Sequence, residues 1–283
     1  YAYSVSLGDV SESHTFRTAP SADSMEPIRF IVHADSETEP DTRDVARDWT
    51  PGAQHANSSG RPDSLPEDSR GRDFYLFSQG DGFANNIATW SQRDPDFVVM
   101  PGDLTQGGNY QRAWDEFFRH MAGERDHPLS SRPLLPALGN WENFGAINGG
   151  YDPAAVYAAR QRFKAYFDKP ENGTPEHRNQ YYRIDYGPVT VITLDSSNGL
   201  PDGDRSNPSE FDTQSNVSLE TYPGDDLADI NPGSAQWEWA EEQLADARRK
   251  GQVIFVQFHH SPYSSGTHGA PMTAVDADGA PLP

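Results

Sequence analysis

The stretch Phe97-Val98-Val99-Met100-Pro101-Gly102-Asp103-Leu104-Thr105 decides the fold, because an apolar run passes abruptly into a turn that carries a carboxylate. Successive apolar residues bounded by turn residues are typical of a short buried β-strand. In α/β sheets, ligands bind just beyond the carboxyl ends of such strands. Gly102 lets the backbone turn sharply and approach a ligand closely. Asp103 is therefore the first candidate site residue.

Three further apolar runs end in polar side chains able to bind a metal: Asp35 after residues 28–34, Asn140 after residues 134–138, and the pair His259 and His260 after residues 253–258. Carboxylate, amide oxygen and imidazole together suit Zn, Mn or Fe rather than the all-oxygen cage that calcium prefers. Each feature alone has a simpler explanation as a turn or as a solvated histidine pair. Their ordered recurrence after apolar strands favours a metal site.

Between these runs the sequence alternates with amphipathic helical patterns, which predicts an α/β fold. Helices are expected at Gln111–Ala122, from Asp152 as N-cap to Phe167, and from Ser234 to the stop at Gly251. In the last helix we expect a buried stripe: Trp237, Ala240, Leu244 and Ala247. Gly187-Pro188 separates two β-type runs and predicts an antiparallel hairpin. The sheets are therefore expected to be mixed.

Residues 1–24 form a separate segment. Tyr1 to Leu7 alternates large apolar with small residues, and Thr15–Thr18 is expected to be a second short strand. Because two strands alone are marginal in water, they are interpreted as the end of a β-sandwich. Residues 25–283 are assigned to the catalytic domain.

Two long polar stretches, 36–72 and 196–233, follow strand ends and are rich in Asp, Ser, Pro and Gly. Loops of this length are usually functional or mobile, and calcium binding in them is a possible additional role. The 283-residue chain has no cysteine, which excludes thiolate metal sites and a cysteine nucleophile. Its formal net charge of −21 argues against binding to nucleic acid backbones. No apolar run is long enough to span a bilayer.

The motifs together resemble those of the calcineurin-like metallophosphoesterases, which carry D-x-H, G-D-x-x, G-N-H-[ED], a later His and G-H-x-H. Matching positions are Asp35, Gly102-Asp103, Gly139-Asn140 and His260. The hairpin around residues 182–197 and the segment 259–266 resemble bacterial purple acid phosphatases. Residues 1–20 resemble the end of their fibronectin type III-like N-terminal domain. The resemblance implies two mixed β-sheets sandwiched between helices, four layers in all.

By this resemblance, two divalent or trivalent transition metals (Zn, Mn or Fe) activate water for attack on a small phosphorylated substrate. Asp103 would bridge them, Asp35 would hold the first, and Asn140 and His260 would hold the second. His268 resembles a position that contacts the substrate phosphate. His259 is expected to orient its neighbour.

The sequence departs from the family pattern at four points. Glu37 replaces the histidine of D-x-H and could still bind through oxygen. Gln106 stands where purple acid phosphatases have their colour-giving tyrosine, which favours divalent metals. Trp141 replaces the histidine of G-N-H-E, so Glu142 is a candidate for proton transfer, with a purely structural role equally open. G-H-x-H is absent, and we expect the catalytic domain to be truncated before it, with the remaining ligands in a further segment of the same polypeptide.

Hydrolysis of phosphate monoesters is the leading functional hypothesis. Hydrolysis of phosphodiesters, such as phospholipid head groups or nucleotides, is the second. The third is a binding module with a decayed site, against which the joint presence of Asp35, Asp103, Asn140 and His260 argues. The resemblance and the acidic surface favour a secreted or periplasmic location.

Overall fold

The computed structural model describes residues 1–38, 45–48, 74–77, 79–123, 128–177, 179–198 and 227–262. The strands within these ranges are Ala2–Leu7 (β1), Val10–Thr15 (β2), Phe30–Val32 (β3), Val45–Asp48 (β4), Phe74–Phe77 (β5), Phe97–Met100 (β6), Leu134–Pro136 (β7), Tyr182–Tyr186 (β8), Val189–Thr193 (β9) and Val253–Gln257 (β10). The α-helices are Gln79–Ser91 (α1), Gln111–Met121 (α2), Pro153–Tyr166 (α3) and Ala235–Arg249 (α4).

Strands β3, β6 and β7 form a parallel sheet with β6 in the centre. Every residue of β6 is buried, as expected for a central strand covered on both faces. Because all three strands run in the same direction, their carboxyl ends meet at one edge. The strands predicted at residues 28–34 and 134–138 are confirmed as β3 and β7, but both are shorter than the apolar runs from which they were predicted.

The second sheet has the order β10-β9-β8 and is mixed. β8 and β9 pair antiparallel around a turn in which Gly187 has a φ of +59°, and β10 pairs parallel to β9. The hairpin prediction is confirmed. The mixed pairing thus lies in this sheet, whereas the described strands of the first sheet are all parallel.

The two sheets pack face to face, with helices outside them. Phe97, Val99 and Leu135 of the first sheet meet Tyr186 and Val191 of the second. On the outer face of the first sheet, Val98 and Met100 join an aromatic cluster contributed by α1, α2 and α3. On the other side, Trp239 of α4 packs with Tyr181 and Ile192. The predicted α/β class, with two sheets between helices, is confirmed.

Helix α2 follows its predicted pattern, since Trp114, Phe117 and Met121 are fully buried and Phe118 packs beside them. α3 begins at Pro153 as predicted, but the side chain of Asp152 makes no capping hydrogen bond. Ser234 does cap α4, because its Oγ accepts from the backbone N–H of Trp237 at 3.1 Å.

The predicted buried stripe of α4 is wrong for two of its members. Trp237 and Leu244 are 39% and 38% exposed, whereas Trp239 and Gln236 are buried. Trp239 Nε1 donates to Asn172 O at 2.8 Å, and Gln236 bonds both Asp195 and Asp229. These polar contacts bury the face of α4 that carries Gln236 and Trp239, which the apolar periodicity did not indicate.

The N-terminal hairpin also differs from the prediction, because its second strand is Val10–Thr15 and not Thr15–Thr18. The ladder pairs Leu7 with Val10 and Ala2 with Thr15 around a turn at Gly8. Backbone pairing therefore recruited a polar segment that has little strand propensity.

Most of the two long polar stretches, and His268, lie outside the described residues. β4, within the first stretch, pairs antiparallel with β5, which follows that stretch, and the sequence analysis did not predict this strand pair. Among the described residues, no helix has the length and apolar character needed to cross a membrane.

Lys169, just beyond α3, places an ammonium group in this interior. The residue is 5% exposed, its Nζ has no hydrogen-bond partner in the described structure, and it lies 4.1 Å from the centre of the Phe163 ring. Burial, helped by the positive charge of Arg160, lowers the pKa of Lys169 to about 7. An unfolded lysine keeps its proton up to a pKa of about 10.4, so folding is penalised increasingly as the pH falls from about 10 to about 7.

Replacing Lys169 by methionine should therefore stabilise the protein at neutral pH. We expect the free energy of unfolding to rise on the order of 3 kcal/mol at pH 7 and by less than about 1 kcal/mol at pH 10. Urea titrations at the two pH values measure this difference. A Lys169→Met gain that is equal at both pH values would contradict the argument.

Candidate metal centre

The candidate site lies where the carboxyl ends of β3, β6, β7 and β10 converge. Asp35, Asp103 and Asn140 follow the three strands of the first sheet, and His259 follows β10 of the second. Asp35, Asp103 and His259 each present a ligand atom, and these atoms lie within 4.8 Å of one another. The structure thus brings side chains from three of these strand ends together.

Backbone hydrogen bonds fasten the loop after β3 to the loop after β6. Asp35 N donates to Gly102 O at 3.2 Å, and Glu37 N donates to Asp103 O at 2.9 Å. Thr38 continues the pairing through Leu104 O and a parallel bridge to Thr105. The parallel ladder therefore extends past the strands and holds the carboxylates in register.

Three of the acidic residues adopt left-handed backbone conformations. The φ angles of Asp35, Glu37 and Asp103 are 53°, 42° and 53°. For residues other than glycine such conformations are uncommon, and they concentrate at functional sites where the surroundings enforce them. These backbone conformations turn the side chains of Asp35 and Glu37 toward Asp103.

Gly102 and Gly139 allow the loops after β6 and β7 to touch. A Cβ on Gly102, whose φ is +89°, would lie 2.8 Å from the Gly139 backbone and 2.9 Å from the His259 Cβ. Any larger residue at position 102 would separate the strand ends. The glycines are required here by close approach of three chain segments.

The carboxylates are crowded, which raises the free energy of their ionised forms. Burial, followed by the charges of Asp103 and Asp35, raises the pKa of Glu37. Partial burial and the charge of Asp103 also raise the pKa of Asp35, although His259 acts in the opposite direction. Gln106 Nε2 donates to Glu37 Oε2 at 3.2 Å and holds that side chain at the site. A cation would relieve this repulsion.

The imidazole of His259 is oriented as metal-binding histidines usually are. Its Nδ1–H donates to Pro101 O at 2.9 Å, which directs Nε2 toward Asp103 Oδ2 at 3.1 Å and Asn140 Oδ1 at 3.0 Å. Burial lowers the pKa of His259, but the hydrogen bond and charge of Asp103 outweigh it and raise the pKa to about 9. A hydrogen bond from Nδ1 to a backbone carbonyl, with Nε2 directed at the other ligand atoms, is the arrangement that fixes the tautomer of a metal-binding histidine. The donor set therefore fits a metal such as Zn, Mn or Fe.

The two histidines occupy the opposite places from those predicted. The sequence analysis gave the ligand position to His260 and the supporting one to His259. In the structure His260 shares a hydrogen bond of 2.9 Å with Ser196 Oγ and is not part of the ligand group found in the described residues. Side chains alternate along a strand, and the face of Phe255 and Gln257, which contact Phe30 and Leu135, continues to His259.

Glu142 lies beneath the site and is fully buried. Its Oε2 accepts from the backbone N–H groups of Asp103 and Gly139, and its Oε1 accepts from Leu104 N, each at 2.8 Å. Burial and the charge of Asp103 raise the pKa of Glu142 to about 7, against the effect of these hydrogen bonds. Both oxygens of Glu142 accept hydrogen bonds from the loop backbones. This geometry fits a structural role and not the donation of a proton to substrate.

The loop after β7 carries an aromatic group that the sequence analysis noticed only in part. Trp141 N donates to Asp103 Oδ1 at 2.9 Å, and its ring meets Phe144 edge to face at 5.0 Å. Phe144 in turn contacts Tyr151, whose hydroxyl lies 3.3 Å from Asn140 Nδ2. Tyr151 follows two glycines in a turn, so no periodic pattern marked it as a site residue.

A buried ion pair supports this loop from below. Arg160 of α3 donates to Asn143 Oδ1 at 3.0 Å and to Asp195 Oδ2 at 2.9 Å. Because both charges are buried and hydrogen-bonded, removing either one would leave an uncompensated charge. The pair links α3, the loop after β7 and the end of β9.

Comparison with known proteins agrees with this architecture. A family model described as calcineurin-like phosphoesterase matches residues 73–279, which is more than half of the chain. The chain therefore belongs to the calcineurin-like phosphoesterase family.

Relatives within the curated proteins include an uncharacterized protein of Mycobacterium tuberculosis, which is 26% identical over 292 aligned residues covering all of this chain and 42% of the relative. Probable purple acid phosphatase 20 of Arabidopsis thaliana is 26% identical over 179 residues, 63% of this chain and 32% of the relative. The chain thus spans less than half the length of these relatives. A purple acid phosphatase isolated from yellow lupin (Lupinus luteus) seeds shares the fold, with a TM-score of 0.52, 17% identity, and coverage of 90% of this chain and 34% of that one.

Replacing Glu142 by glutamine tests its role as a brace of the site. One of its oxygens becomes an NH₂ group that cannot accept, so at least one buried N–H loses its partner. We expect the free energy of unfolding to fall by about 1–3 kcal/mol in urea titrations. The exposed Glu241→Gln is the matched control and should change stability little; equal stabilities for Glu142→Gln and the wild type would refute the brace.

Proposed function

We propose that this chain is the catalytic part of a metal-dependent phosphatase that hydrolyses phosphate monoesters. The observation that carries the proposal is the convergence of Asp35, Asp103 and His259 at the carboxyl ends of three strands, in one group of ligand atoms within 4.8 Å. Membership of the calcineurin-like phosphoesterase family supports the reaction class.

In this proposal the described residues would supply part of the ligand set of a dinuclear centre. Asp103, which lies between the loops of β3 and β7, would bridge the metals. Asp35 and Glu37 would serve the first metal, and Asn140 and His259 the second. When bound, such ions supply positive charge that makes water a better nucleophile and neutralises charge on the phosphoryl group.

The protein's own contribution is orientation. Trp141 N holds one oxygen of Asp103, and Pro101 O holds the ring of His259, so neither ligand needs to reorganise. Glu142 keeps the loops of β6 and β7 at a fixed separation. His268, outside the described residues, remains a candidate for contacting the substrate phosphate.

Phosphodiester hydrolysis is the second candidate, and one observation favours it. Trp141 stands where the family motif has a histidine, whose imidazole would protonate the leaving alkoxide. The indole of Trp141 cannot act as this acid. The site would then depend on esters whose leaving group needs no proton. Comparing bis-(4-nitrophenyl) phosphate with 4-nitrophenyl phosphate separates the two, because a strong monoester preference would exclude the diester proposal.

We further propose that residues 1–24 belong to a β-sandwich and that the protein is secreted or periplasmic. The hairpin β1–β2 exposes Val5 and Leu7 at 60% and 85%, which supports a β-sandwich role for residues 1–24 because these side chains would be covered by further strands. An acidic surface is compatible with a secreted or periplasmic protein.

Changing Asp103 to asparagine should abolish catalysis while sparing the fold. Loss of the bridging carboxylate is expected to lower kcat/KM for 4-nitrophenyl phosphate by at least about 100-fold in the presence of Mn²⁺ or Zn²⁺. The exposed Asp168→Asn is the matched control. Wild-type activity in Asp103→Asn would refute the ligand role of Asp103, whereas a wild type that binds no metal and hydrolyses neither ester would support the non-catalytic binding module.

The roles of the two histidines can be separated by measuring metal affinity. His259→Ala should weaken binding of Zn²⁺ by about 10-fold or more in competition with a fluorescent chelator, because it removes a ligand. His260→Ala should have the smaller effect, since its ring bonds to Ser196. The reverse order would return the ligand role to His260.

A further inference from the structure

The amide of Asn140 presents two different ends to its surroundings. Only its oxygen can bind a metal ion, because the NH₂ end is a donor with no lone pair to offer. The two ends are similar in size, so packing alone does not distinguish them. Some directional interaction must select the orientation in which the oxygen faces the site.

In the structure the two ends of the amide meet His259 and Tyr151. Asn140 Oδ1 lies 3.0 Å from His259 Nε2, on the side of the ligand group. Asn140 Nδ2 donates to the hydroxyl oxygen of Tyr151 at 3.3 Å, on the opposite side. Rotating the amide by half a turn would turn its NH₂ group toward the ligand group, where it offers no lone pair to a metal ion.

The phenol is itself held in place. Its ring lies 4.8 Å from that of Phe144, centre to centre, and packs against the buried cluster of Val156 and Leu227. Tyr151 stands directly before α3, the helix that also carries Arg160 and its bond to Asn143. The acceptor oxygen and the loop of Asn140 are therefore fixed to the same helix.

We propose that Tyr151 is a positioning residue of the metal centre: its hydroxyl oxygen fixes the amide of Asn140 with Oδ1 facing the metal site. The inference rests on the proposed function, since it assigns Asn140 as a ligand. It adds a residue from outside the family's ligand motifs, in the loop between β7 and α3. Groups that orient metal ligands in this way typically account for 10- to 100-fold in metal affinity.

Replacing Tyr151 by phenylalanine removes the acceptor and leaves the ring. We expect the Kd for Mn²⁺ and Zn²⁺, measured on the full chain by competition with a fluorescent chelator, to rise about 10-fold or more. The thermal midpoint should stay near that of the wild type, because the aromatic packing is retained. Tyr157→Phe, a matched loss of a hydroxyl from α3, should leave the Kd unchanged.

A second background separates orientation from general loosening of the loop. In Asn140→Asp, either carboxylate oxygen can face the metal, so the orientation no longer matters. Adding Tyr151→Phe to this background should therefore change the Kd by less than about threefold, and the double-mutant cycle should show strong coupling between the two positions.

The outcomes are distinct. A wild type that binds metal, together with an unchanged Kd for Tyr151→Phe, would overturn the inference and leave the proposed function intact. An equal loss of affinity in both backgrounds would also overturn it, because Tyr151 would then act independently of the amide. A wild type that binds neither metal would overturn the proposed function and, with it, any ligand role for Asn140.

Discussion

The carboxylate of Glu142 accepts three backbone hydrogen bonds, from Asp103, Leu104 and Gly139, and the geometry of the site depends on this arrangement. These N–H groups belong to two different loops, and neither loop has a regular partner for them where its strand ends. A buried N–H without an acceptor is costly, so a single side chain that satisfies all three makes the loops one unit. Gly102 and Gly139 then permit the contact that Glu142 enforces.

Electrostatics explains why this unit suits a cation. Asp35, Glu37 and Asp103 stand close together at a strand edge, and all three have left-handed backbone conformations, held by the ladder that continues through Thr38. The raised pKa of His259 favours its protonated form, whose positive charge would partly balance theirs, since Nε2 lies 3.1 Å from Asp103 Oδ2 and 3.0 Å from Asn140 Oδ1. Crowded carboxylates of this kind are stabilised by an opposite charge at the point where they converge.

The departures from the family's motifs are accommodated by new contacts and do not leave the site open. Gln106, in place of a tyrosine, holds Glu37, which itself stands in place of a histidine. Trp141, in place of another histidine, packs on Phe144 and so reaches Tyr151. The altered positions therefore form pairs and a chain of aromatic rings, an arrangement that favours an adapted metal site over a decayed one.

The sequence by itself determined the strands of the two central sheets and the four polar strand ends, because short apolar runs followed by polar residues depend only on local chemistry. It also determined the α2 face and the hairpin at Gly187. Only the tertiary structure decided which of His259 and His260 faces Asp103, since the parity of β10 is set by its packing against Phe30 and Leu135. The buried face of α4 and the part played by Tyr151 were likewise settled by contacts between segments distant in the chain, for which no local periodicity exists.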